Sequence, residues 1–151
     1  MKKLIWVVTL FAMSLSLAAC GQRQTRTEQN APDKGVVQVL YFHGSQRCAT
    51  CRALEAKTIE LLETEYAQAQ NEGKIVFKSI DFSELEGEAV ADRYEVAWSS
   101  LILDKDGTTV DLTDMGFRYA RTEPETFKAN LKQEIDKMLQ WHGIFAKPSR
   151  Q

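Results

Sequence analysis

The chain has 151 residues, enough for one domain and not for two of ordinary size. Its 44% hydrophobic and 26% charged residues are those of an ordinary globular protein. The formal net charge of −2 becomes −4 if Lys2 and Lys3 are lost with a leader, a balance that argues against nucleic acid as a partner.

Met1-Lys2-Lys3 is a short positive start, followed by an apolar run over residues 4–17 broken only by Thr9, Ser14 and Ser16. The run is too short, and too closely followed by a cleavage signal, for an ordinary membrane span. Leu17-Ala18-Ala19-Cys20 resembles the lipobox of bacterial lipoproteins. That resemblance implies a signal peptide over residues 1–19 and a diacylated Cys20 as the mature N-terminus. The domain would then be lipid-anchored in the cell envelope, most simply facing the periplasm. The alternative is a plain secretory signal with an incidental Cys20. There are three cysteines, so if Cys20 carries lipid, Cys48 and Cys51 remain as one pair with no odd thiol. An exported compartment permits a disulfide. The loop within such a pair is too short for it to serve only as a staple.

Residues 20–35, rich in Gln, Thr and Arg, read as a flexible tether, and residues 36–142 as the domain. Residues 36–42 are nearly continuous apolar and β-branched, a strand covered on both faces. A loop over residues 43–47 leads to a helical pattern from Cys48 to about Gln70, with Leu54, Thr58, Leu61, Leu62 and Tyr66 on one face and Gly73 as the stop. A second strand covers residues 75–80, and a short helix residues 86–94. A third strand covers residues 101–103, and Asp106-Gly107 turns the chain into a fourth over residues 108–112. Thr122-Glu123-Pro124-Glu125 reads as a capping box, with Thr122 as the cap. Phe127, Leu131, Ile135, Met138 and Leu139 then recur at helical spacing to about Trp141, before an irregular tail over residues 143–151.

The order β–α–β–α–β–β–α predicts an α/β domain: a central mixed four-stranded sheet with helices on both faces, the first three strands joined by βαβ-type crossovers. The residues Tyr41-Phe42, Cys48-Ala49-Thr50-Cys51, Ile80-Asp81, Arg93-Tyr94-Glu95-Val96, Ser99-Ser100-Leu101-Ile102-Leu103 and Asp104-Lys105-Asp106-Gly107 resemble the thioredoxin fold. More narrowly, the chain resembles exported thioredoxin-like proteins named as nitrophenyl compound nitroreductase subunits. No flavin or nicotinamide site is recognisable, so neither a cofactor nor nitroreductase activity is carried over.

The resemblance implies that Cys48 is the nucleophile and Cys51 the resolving thiol. Physical chemistry points the same way, because the cysteine nearer the helix start gains more from unpaired N–H groups and the macrodipole. Arg47 and Arg52 flank the pair; either can depress a thiol pKa by folding toward the sulfur, or both are solvated charges. His43 is placed to donate to a Cys48 thiolate, to join the two sulfurs as a metal ligand, or simply to bond the loop backbone. His142 carries no motif.

The chain departs from the thioredoxin pattern in several places. Ala49-Thr50 stands where thioredoxins carry Gly-Pro, and Arg47 replaces a tryptophan. Ser99 or Ser100 falls where a cis-proline faces the motif, Ser99 when the chain is aligned back from Gly107, so a trans peptide is expected there. The buried acid that assists proton transfer falls near Tyr41, which leaves that role to water or His43. Trp98 is expected either as an apolar wall beside the sulfurs or as a packing residue. Asp81 is expected to cap a turn with Ser83. Three functions compete. The first is a thiol–disulfide oxidoreductase acting on protein thiols or disulfides, or with a membrane redox partner. The second is a soft-metal module using Cys48, Cys51 and His43, and the third a redox-inactive binding subunit.

Overall fold

The computed structural model describes residues 34–140. The expected leader, Cys20, the tether up to residue 33, Trp141, His142 and the expected tail lie outside the described residues. The elements are β1 (Val37–His43), α1 (Ala49–Glu65), α2 (Ala67–Asn71), β2 (Ile75–Asp81), α3 (Leu85–Arg93), β3 (Ser100–Lys105), β4 (Thr108–Asp111), α4 (Thr113–Tyr119) and α5 (Pro124–Gln140).

Alternation along β1 decides the layering, because successive side chains of a strand point to opposite faces. Val37, Val39 and Tyr41 enter a core with Leu54, Leu61 and Leu62 of α1 and Phe127, Leu131 and Ile135 of α5. Leu40 and Phe42 enter a second core with Ile102 and Ala91, which Val90, Tyr94 and Val96 extend. A strand apolar on both faces is thus the central strand of a sheet covered on both sides, as its composition predicts.

The four strands lie in the order β2-β1-β3-β4. β1 is parallel to β2 and antiparallel to β3, and β3 is antiparallel to β4. Only the first of the expected crossovers therefore joins parallel strands. β2 ends opposite His43 and β3 begins opposite Phe42, at the same end of the sheet, so β3 can only run back. The turn between β3 and β4 holds Asp106 at φ 54° and Gly107 at φ 81°, the two positive angles that an Asp-Gly hairpin turn requires.

Three other expectations are corrected. The first long helix ends at Glu65, not near Gln70, and a short helix follows. The break falls at Tyr66, whose hydroxyl bonds Asp136 Oδ1 at 2.6 Å and so pins the end of α1 to α5. Thr122 does not cap α5: its hydroxyl donates back to the Arg118 carbonyl at 3.0 Å. Glu123 supplies the carbonyl for the first turn, with Phe127 N–H at 3.0 Å, and Pro124 takes the first helical position, where its missing N–H costs nothing. Finally, α4 was not foreseen. Thr113 N–H bonds Asp111 Oδ1 at 2.8 Å to open the helix, and Thr113 Oγ1 accepts from Leu101 N–H at 3.1 Å, tying it to β3.

Candidate functional site

The site lies where β1 gives way to α1. Cys48 is the N-cap of α1, with extended backbone (φ −70°, ψ 167°), and its sulfur accepts the Cys51 N–H at 3.0 Å. The sulfur thereby takes the place that a hydroxyl or carboxylate oxygen fills in most N-caps. Cys48 and Cys51 form a disulfide, their Cα atoms 5.0 Å apart, within the range such a bond needs. Cys48 is exposed, whereas Cys51 is 6% exposed and faces the core. The first turn of α1 carries no acidic residue, so no side-chain charge there opposes an anion at the helix start.

Tyr41 closes the site from below. Fully buried in β1, it donates its hydroxyl to the Cys51 carbonyl at 2.9 Å. Burial pushes its pKa up, against a partly offsetting Arg47. The guanidinium of Arg47 lies over the Tyr41 ring, 5.5 Å from its centroid, and ion-pairs through Nη2 with Glu55 Oε2. Glu55 Oε1 accepts from Ser79 Oγ at 2.5 Å. Burial alone raises the Glu55 pKa, but Ser79 and Arg47 outweigh it and hold the carboxyl below its usual value. Arg52, exposed, donates from Nη1 to the Arg47 carbonyl at 2.5 Å. Arg47 is therefore held against the domain, and Arg52 reaches toward the loop.

His43 is half-buried, its ring 5.7 Å from that of Tyr41 and its Nδ1 3.0 Å from the Gly44 carbonyl. Among the described residues no three His, Cys, Asp or Glu side chains group to hold a metal ion, so His43 is not assembled with the two sulfurs as a ligand set. Asp81 Oδ1 accepts from Ser83 N–H at 2.9 Å and Ser83 Oγ at 2.5 Å, the turn cap its sequence suggested. Trp98 is 68% exposed, so it is not a packing residue. Ser99 is half-buried, and the described residues contain no cis peptide bond. Both precede β3, at the sheet end where β1 stops. Glu55 and Ser79 were missed from the sequence. Glu55 lies one helical turn beyond Cys51, a detectable spacing, but Ser79 becomes a neighbour only through its register opposite Tyr41.

A parallel β1–α1–β2 unit, an antiparallel pair beyond it, helices on both faces and a cysteine pair at the β1–α1 junction define a thioredoxin-like fold. No protein-family model and no curated protein matches the chain. Among solved structures it is similar to a thioredoxin from Fasciola hepatica, at 22% identity and a TM-score of 0.43 over 70% of this chain and 83% of that one. It is similar to the germline-specific thioredoxin Deadhead of Drosophila melanogaster, at 18% and 0.46 over 68% and 81%. A thioredoxin from Thermus thermophilus matches at 21% and 0.40 over 69% and 77%. These likenesses are likenesses of fold.

Proposed function

We propose that the chain is a thiol–disulfide oxidoreductase of the bacterial cell envelope, acting through Cys48 and Cys51 and held to a membrane by lipid on Cys20. The observation that carries the chemistry is the asymmetry of the pair: an exposed Cys48 at the N-cap of α1, bonded to a buried Cys51. In the reduced form the Cys48 thiolate attacks one sulfur of a substrate disulfide. That S–S bond breaks, a mixed disulfide forms, and the displaced sulfur leaves as a thiolate that takes a proton from water. Cys51 then gives its proton to water and attacks the Cys48 sulfur, re-forming the Cys48–Cys51 bond and releasing the second substrate sulfur. Two electrons pass to the substrate, and the reverse sequence oxidises a dithiol. The electron pair moves through sulfur, so the reaction calls for no cofactor.

Trp98 supports this reading as exposed apolar surface at the same end of the sheet, suited to an incoming polypeptide. The likeness to exported thioredoxin-like proteins named as nitrophenyl compound nitroreductase subunits, and the lipobox-like Leu17-Ala18-Ala19-Cys20, support the envelope setting. Among the described residues no helix is long and apolar enough to cross a membrane. Cys51→Ser tests the chemistry. With no thiol left to resolve it, the variant should accumulate mixed disulfides through Cys48 with envelope proteins, and Cys48→Ser should not. Equal trapping by both, or by neither, contradicts the proposal and leaves a redox-inactive binding subunit as the better reading. Cys20→Ala should move the protein out of the membrane fraction; retention there contradicts the anchor.

A further inference from the structure

Arg47 stands one residue ahead of Cys48, yet its charge is not given over to water. Its side chain is 25% exposed and that of its partner Glu55 19%. The pair is fixed from three sides: the Tyr41 ring beneath the guanidinium, Ser79 Oγ on the far carboxylate oxygen, and Arg52 Nη1 on the Arg47 carbonyl. Arg47 Nε is buried and, among the described residues, finds no hydrogen-bond partner with the disulfide closed. A buried donor without an acceptor is costly and calls for an explanation. Arg47 is also the residue before Cys48, whose sulfur gains negative charge on reduction.

The other charged groups near the pair are few. From β1 there is His43, and from β2 Asp81, whose carboxylate is held below its usual pKa by Ser83, with His43 and Arg47 adding to the effect. From α1 there are Arg52 and Glu55, and the first turn adds no acid. Arg47, one residue before the N-cap, and Glu55, one helical turn beyond Cys51, are thus an ion-paired couple of opposite charges, partly shielded from water and salt, that flanks the cysteine pair in sequence.

We infer that Arg47 and Glu55 are positioning residues of opposite sign that together set the reduction potential of the Cys48–Cys51 couple. The inference rests on the oxidoreductase reading. Reduction turns a neutral disulfide into two thiols, one of which carries negative charge once its proton leaves. A cation beside it favours the reduced state, and an anion disfavours it. Glu55, by pairing with Arg47, restrains how much of the arginine's field reaches Cys48.

A purely structural role for the pair makes a different forecast. Removing either partner breaks the same ion pair, so both changes would move the couple in the same direction. The charge role requires opposite directions. The experiment is equilibration of the full chain with glutathione buffers at pH 7, with each state counted by alkylation and mass. Two glutathione thiols supply two electrons and two protons to the Cys48–Cys51 bond and join as glutathione disulfide; where Cys48 stays ionised, one of those protons passes to buffer.

Glu55→Gln should favour the dithiol by about tenfold, equivalent to a potential about 30 mV higher. Arg47→Gln should favour the disulfide by a similar factor. Arg47→Lys, which keeps the charge, should stay within about threefold of wild type, and the double Gln variant should return toward it. Same-direction shifts in the two single variants, or no shift in either, overturn the inference while leaving the oxidoreductase reading intact. If Arg47→Gln does not fold, Glu55→Gln alone decides: no shift, or a shift toward the disulfide, overturns it. A wild-type pair that does not exchange with glutathione at all removes the oxidoreductase reading, and the inference with it.

Discussion

Tyr41 is where the core and the site share one side chain. Its ring is fully buried in the larger core, and its hydroxyl holds the Cys51 carbonyl at 2.9 Å. Tyr41→Phe keeps the ring and removes the donor. It should lower stability by about 0.5–1.5 kcal/mol, read from urea midpoints, and an unchanged midpoint would contradict the bond's contribution. Glu55 carries a pH signature. Burial acts to raise its pKa, but Ser79 and Arg47 depress it further, so the folded value lies below the unfolded one. The stability this contributes is fully present above the unfolded pKa of about 4.3 and is lost as pH falls through the lower folded value. Between about pH 5 and pH 3 the urea midpoint of Glu55→Gln should fall less steeply than that of wild type; parallel curves would contradict the depressed pKa. In sequence, Arg47 stands out only as a flank of the cysteine pair and Glu55 not at all; the helix start at Ala49 and the register of Tyr41 with Ser79 bring them into one cluster.

At the scale of elements, helical spacing was legible wherever large apolar residues carry the contact. Leu54, Thr58, Leu61 and Leu62 of α1 and Tyr66 at its C-cap form the one face that the spacing predicts, and all are buried. Phe127, Leu131 and Ile135 of α5 were read the same way and are fully buried. Leu131→Ala should cost about 2–5 kcal/mol in urea unfolding, and a wild-type midpoint would contradict the packing. Thr122→Ala, by contrast, should change stability by no more than about 0.5 kcal/mol, because Thr122 is exposed and bonds Arg118, not the start of α5. A loss of 1 kcal/mol or more, at the usual scale of N-cap removal, would restore it as the cap. α4 escaped the sequence because it has only 7 residues and approaches α1 through a glycine: a Cβ on Gly116 would stand 2.6 Å from Leu54 Cδ1, and Met115 and Tyr119, which pack against the same core, make a single i, i+4 pair, too short a period to read.

Across the whole molecule, one strand organises both cores and the chemistry. β1 is buried on both faces, pairs with β2 and β3, and ends where the loop to Cys48 begins. Rigid packing on either side fixes the direction in which α1 starts, and so fixes which cysteine meets solvent and which meets the core. This much was legible, because an apolar strand followed by a C-x-x-C pair and an amphipathic helix leaves few arrangements open. The direction of β3 was not, since it depends on where the chain re-enters the sheet, whereas β4, antiparallel to β3, follows from the Asp-Gly turn. The central claim is that this architecture makes the two thiols unequal. The pH dependence of alkylation of the reduced chain, read separately at each cysteine by mass, tests it most directly. Cys48 should react first and titrate below the free-thiol value of about 8.5, with Cys51 protected. Faster reaction at Cys51, or both thiols titrating at the free value, would contradict the account.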